Sequence, residues 1–120
     1  MKLFFSLLFS LLACQMAWSQ TKYSTKSRNA IKSYETASYL LDLNNFDEAK
    51  TELLNAVKQD DEFIEAYLLL ADVYRVTFDN VKAKEYYKEA FKINPNFAPD
   101  RYYYFAETDI SLAHYFNEYL

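Results

Sequence analysis

The chain has 120 residues, 52% of them hydrophobic and 25% charged, with a formal net charge of −4. That balance fits one small globular domain and excludes a disordered or membrane-embedded chain, while the acidity argues against nucleic acid, whose phosphates need clustered Lys and Arg. Glycine is absent, so neither a phosphate-cradling loop nor a strained nucleophile turn can be built.

Residues 1–19 have the composition of a secretory signal peptide: Lys2, an apolar run from Leu3 to Ala13, then Ala17-Trp18-Ser19 ahead of Gln20. The apolar run falls short of the roughly twenty residues that span a bilayer. Cleavage is expected after Ser19. A competing site lies at Leu11-Leu12-Ala13-Cys14, which resembles a lipoprotein lipobox although Leu12 is bulky for its place. Cleavage after Ser19 removes Lys2 and the sole cysteine, Cys14, taking the net charge from −4 to −5. The mature chain then has no disulfide, thiol nucleophile or cysteine metal ligand. Residues 20–28 are polar, carry Lys22, Lys26 and Arg28, and read as a flexible linker.

Two helical hairpins are expected next. In 64–97, Ile64, Tyr67, Leu70, Ala71 and Tyr74 recur at helical spacing, as do Ala83, Tyr87, Ala90, Phe91 and Ile93. Asp79 and Asn80 between them suit a helix start, and Pro95 ends the second pattern. The same pattern fits 30–63: Ala37, Leu40, Ala49, Leu53 and Ala56 precede Ala71, Tyr74, Ala83, Tyr87 and Ala90 by a constant interval, with Asn44-Asn45 as the turn. Here Ser33 and Thr36 stand where large apolar residues are expected, which suits a solvated outer helix. After one extra residue in the loop at 94–100, Tyr102, Phe105, Ala106 and Ile110 begin a third, partial copy over 98–120, with a second helix starting near Phe116.

The positions Tyr67, Leu70, Ala71, Tyr74, Ala83, Tyr87, Ala90 and Pro95 make 64–97 resemble a tetratricopeptide repeat, a helix–turn–helix unit of 34 residues. The resemblance implies an all-α chain over 29–120, with antiparallel hairpins stacked as a short right-handed solenoid. Two departures stand out: Asp61 replaces the family's proline, and Phe78 replaces its glycine. Phe78 therefore implies either a remodelled turn or a longer first helix.

In such families the first helix of each hairpin lines a concave groove for a segment of a partner protein. The matching positions are Tyr34, Ser38 and Leu41; Glu65, Leu68, Asp72 and Arg75; and Asp100, Tyr103, Glu107 and Ile110. The expected groove has aromatic and aliphatic floor residues with acidic walls, suited to a partner with basic and apolar residues. Of the twelve tyrosines, Tyr67, Tyr74, Tyr87 and Tyr102 fall on core positions. The Lys and Asn residues that capture a terminal carboxylate in the chaperone-binding subclass are missing.

Enzyme chemistry finds no support. His114 is the single histidine and falls at a turn, and Asp60-Asp61-Glu62 sits where acidic residues favour a helix start. No cofactor, metal or small-molecule substrate is expected. The signal peptide, the charge and the run ISLAHYFNEYL also resemble the repeat region that opens certain Bacteroidota envelope proteins, in which an OmpA-like peptidoglycan-binding domain follows. That resemblance implies a docking module of the periplasm or outer membrane, with envelope association through C-terminal domains beyond Leu120. The alternative is a structural spacer, or the N-terminal part of a larger peptidoglycan-associated or secretion protein.

Overall fold

The structure, a computed structural model, describes residues 22–108. The expected signal peptide with Cys14, the position Ile110, the turn at His114 and the helix from Phe116 lie outside the described residues. Apolar periodicity becomes four helices, α1 (Arg28–Asp42), α2 (Phe46–Gln59), α3 (Ile64–Val76) and α4 (Asn80–Ile93). A further helical run covers 101–108. Among the described residues there is no strand, and no helix is long and apolar enough to cross a membrane. Helices α1 and α2 pack as one antiparallel hairpin, α3 and α4 as a second, and α2 against α3 joins them into a short solenoid.

The helix starts follow from their capping residues. Ser27 Oγ accepts from the Ala30 N–H at 3.2 Å, and Asp79 Oδ1 accepts from the Lys82 N–H at 3.1 Å. Each satisfies a backbone donor that the helix leaves free, typically stabilising by about 1 kcal/mol. No side chain caps α2, but Asp47 and Glu48 in its first turn complement the positive end of the helix dipole.

The two hairpin turns share one hydrogen-bond pattern. After α1, Asn44 N–H donates to Leu41 C=O and Asn45 N–H to Leu40 C=O, both at 2.9 Å. After α3, Phe78 N–H donates to Arg75 C=O at 3.1 Å and Asp79 N–H to Tyr74 C=O at 2.9 Å. Both are Schellman closures, in which the residue just past the helix turns left-handed. That residue is Asn44 at φ 57° in one hairpin and Phe78 at φ 66° in the other. Helix α3 therefore does not run on, and the turn keeps its form with an aromatic residue where glycine costs least.

Phe78 gains nothing from packing, being 92% exposed. Left-handed backbone costs a residue with a Cβ roughly 1–2 kcal/mol. Phe78→Gly is accordingly expected to stabilise the fold by about 1 kcal/mol, the added freedom of the unfolded glycine chain offsetting part of the relief. Thermal unfolding should show a midpoint several degrees higher; an unchanged or lower midpoint would contradict the strain.

Helix α3 is the centre of the fold and is apolar on both sides. Ala66, Leu70 and Val73 join Ala30, Ala37, Ala49, Leu53, Ala56 and Phe63 in one core cluster. Ile64, Tyr67, Leu68 and Ala71 join Ala83, Tyr87 and Ala90 in the other. A helix that must bury two faces needs apolar residues around most of its circumference. The alanines stand where helices approach closely, and each of those named is 1% exposed or less.

Three expectations differ from the structure. Ser33 is buried, not solvated; with Ala30 and Ala37 it lies on the buried small-residue face of α1, where a larger side chain would hold the helices apart. The polar segment expected as a flexible linker over 20–28 is packed from Tyr23 onward, and Arg28 already belongs to α1. In the 101–108 run, Tyr104 and Phe105 turn to the α3–α4 core. Tyr102 stays partly exposed, its ring stacked on Phe91 at 4.1 Å, and Ala106 is exposed. Three consecutive tyrosines leave the helical phase undefined by residue type, so the inward one is set by tertiary packing.

Candidate protein-docking cleft

The cleft is framed by the first helices of the two hairpins and the loop that follows α4. Tyr34 projects from α1, Glu65, Leu68 and Asp72 from α3, and Asp100 from the loop, and these five expected positions line one cavity of about 240 Å³. Leu69, Phe97, Ala98 and Arg101 complete its wall. Sequence reasoning missed these four. Phe97 carried the available signal, an apolar side chain in an otherwise polar loop.

Leu68 belongs mainly to the core, at 7% exposure, and presents only an edge to the cleft. The other expected positions are dispersed. Ser38 donates back to the Tyr34 C=O at 3.2 Å, and Leu41 packs on the first core cluster. Arg75 and Glu107 line a separate cavity of about 420 Å³ with Val76, Phe78, Asn80 and Thr108. Tyr103 is exposed and meets Tyr104 edge-on with ring centres 5.5 Å apart.

The walls are less acidic than the residue types suggest, because the cleft carboxylates already have partners. Arg101 bridges two of them, reaching Asp72 at 3.2 Å and Asp100 at 2.8 Å. Asp72 also accepts a hydrogen bond from the Tyr87 hydroxyl, to which Arg75 Nε donates at 3.4 Å. Burial first, and then the Asp72 carboxylate, push the Tyr87 hydroxyl well above its ordinary range, so it stays protonated and donating. The Arg75 guanidinium lies 4.1 Å from the Tyr104 ring centre, a cation–π contact that ties the 101–108 run to the second hairpin. Burial works against the Arg75 charge, but Tyr87, Asp72 and Glu107 outweigh it and hold the guanidinium above its usual range.

Glu65 is engaged from the other side. Ser24 donates to it twice, from its backbone N–H at 3.0 Å and from Oγ at 2.5 Å. Beside it Tyr23, Tyr34 and Phe63 form a three-ring cluster, with Tyr23–Tyr34 and Tyr34–Phe63 centres both 5.3 Å apart. Among the described residues, no group of three or more His, Cys, Asp or Glu is placed to hold a metal ion.

No curated protein matches the chain. Residues 64–97, which span α3, its turn, α4 and the start of the following loop, match the family model of the tetratricopeptide repeat. Repeats of this family generally mediate protein–protein interaction and are typically non-catalytic. The α1–α2 hairpin reproduces the turn and the buried alanines of that matched unit, so that the described residues form an all-α stack of similar helical hairpins.

Proposed function

We propose that the protein is an exported, non-enzymatic docking module of the periplasm or cell envelope, holding a segment of a partner protein in its concave cleft. The observation that carries the reading is the cavity between α1, α3 and the 97–101 loop, where Tyr34, Leu69 and Phe97 offer apolar contact beside Asp100. Export rests on Lys2, the Leu3–Ala13 run and Ala17-Trp18-Ser19. The partner segment is anchored mainly by apolar side chains, with basic residues meeting Asp100 at the cleft, where it already pairs with Arg101, and Glu107 on the neighbouring cavity; both carboxylates are exposed.

A structural spacer, or the leading part of a larger OmpA-like peptidoglycan-associated or secretion protein, is the second reading. It is favoured by the internal pairing of Glu65 and Asp72, which leaves those carboxylates less to offer a cationic partner.

The two separate in a capture experiment from envelope extract, run with the parent and with the Asp100→Lys, Glu107→Lys double variant. Docking predicts a partner captured by the parent, lost from the variant and released as salt rises, because exposed charges are screened. Both replacements lie on exposed side chains, so helical circular dichroism should be unchanged. Equal capture by the two proteins would remove the cleft as the site, and no salt-sensitive capture by either would favour the spacer.

A further inference from the structure

The cleft has an occupant along its amino-terminal rim, supplied by the chain itself. Tyr23 sets its ring edge-on against both Tyr34 of α1 and Phe63, the residue just ahead of α3, with centres at 5.3 and 6.0 Å. The next residue, Ser24, satisfies both oxygens of Glu65 through its N–H and Oγ. The one after, Thr25, is 1% exposed and donates its hydroxyl to Asp60. Three successive residues thus meet three features of the surface: an aromatic pair, one carboxylate and a second carboxylate. Two of the receiving residues, Tyr34 and Glu65, also line the open part of the cleft.

From this geometry we infer that residues 22–25 are a resident ligand of the cleft's first subsite, and that this subsite accepts an extended segment carrying an aromatic residue followed by two hydroxyl residues. The strap shows the chemistry that the site reads. An aromatic ring is needed because the paired Tyr34 and Phe63 rings both offer edge contacts to a third ring. A donor from both backbone and side chain is needed because Glu65 presents two acceptor oxygens at the mouth. A second hydroxyl is needed at Asp60, whose carboxylate accepts from the buried Thr25 hydroxyl. A bulky residue in place of Thr25 would not fit a position 1% exposed.

The inference rests on the docking reading and specifies it. A partner segment of the same pattern competes with the strap for Glu65, while the cavity beyond, at Leu69, Phe97 and Arg101, stays open to the rest of that segment. Binding is then an exchange of one set of hydrogen bonds for another, which lowers net affinity by the cost of releasing the strap.

The test needs no external partner. A labelled peptide with the sequence of residues 22–27 is titrated against the full chain and against the full chain carrying Tyr23→Ala, Ser24→Ala and Thr25→Ala, with fluorescence anisotropy as the readout. Saturable binding at least tenfold tighter to the triple variant, and reduced at least tenfold again by adding Glu65→Ala, is the expected result. Equal binding to parent and triple variant, or binding indifferent to Glu65, overturns the inference. Should the triple variant fail to fold, Glu65→Ala in the otherwise intact chain replaces it. The Ser24 amide should then exchange its hydrogen at least tenfold faster while the Leu70 amide stays protected, and an unchanged Ser24 rate overturns the strap. A failed strap test alongside charge-sensitive capture at Asp100 and Glu107 would leave docking standing and remove only the self-occupied subsite.

Discussion

Asp72→Lys is expected to lower the folding stability by about 3–5 kcal/mol, the cost usual when a largely buried charge pair loses one partner. Asp72 is 19% exposed at its side chain and binds Arg101 at 3.2 Å while accepting from Tyr87. Reversal leaves the Tyr87 hydroxyl without its acceptor and sets a third cation beside Arg101 and Arg75. Asp72→Asn should cost less, about 1–2 kcal/mol, since an amide oxygen still accepts from Tyr87 and only the charge is lost. Urea denaturation of the three proteins checks the order. A reversed variant as stable as the parent would mean that Arg101 and Tyr87 find other partners without cost. The sequence pattern makes Asp72 a groove wall; its contacts make it a brace between α3, α4 and the 101–108 run.

Leu70→Ala is expected to cost about 2–5 kcal/mol, the range for truncating a buried leucine and leaving part of the cavity unfilled. Leu70 is fully buried, and it shares a cluster with Ala30 and Ala37 of α1, Leu53 of α2 and Phe63. Those neighbours belong to different elements, so collapse around the missing methyl groups would have to move more than one helix. Leu54 serves as the control: it is 38% exposed on α2, and its truncation should shift the denaturation midpoint far less. Total stabilities of native domains lie near 5–15 kcal/mol, so the Leu70 loss alone brings a chain of this size close to unfolding at physiological temperature. Equal midpoints for the two variants would sink the assignment of α3 as the shared core helix.

The features that repeat along the chain were legible, and those that depend on one distant pairing were not. Ala37, Ala49 and Ala56 could be matched to Ala71, Ala83 and Ala90 because small residues at a fixed interval report a close helix contact, and all six are buried. The turn at Asn44 was readable because asparagine tolerates a left-handed backbone; the one at Phe78 was not, because there the surrounding hydrogen bonds overrule the residue's own preference. Ser33 misled, since a hydroxyl signals solvent by type while its small volume suits a crowded interface. The cleft was half legible for a related reason. Helical phase places Tyr34, Glu65 and Asp72 on one side, but no periodicity shows that Arg101 neutralises Asp72 or that Ser24 claims Glu65. A polar segment without apolar rhythm reads as solvated tail even when one ring, Tyr23, and a few hydrogen bonds hold it down.

The tie between Ser24 and Glu65 crosses 41 positions, and that between Thr25 and Asp60 crosses 35. Ribosomes add about 5–20 residues per second, so roughly 2–8 s separate the synthesis of Ser24 from that of its acceptor. Helices α1 and α2 can pair in that interval, since their turn closes with neighbours only. The segment made ahead of α1 is therefore among the last to settle. Until Asp60 and Phe63 are made, Tyr23 and Thr25 lack the surfaces against which they later pack. The strap is thereby a late closure: its start is made before α1, yet its contacts are complete only once the second hairpin has begun.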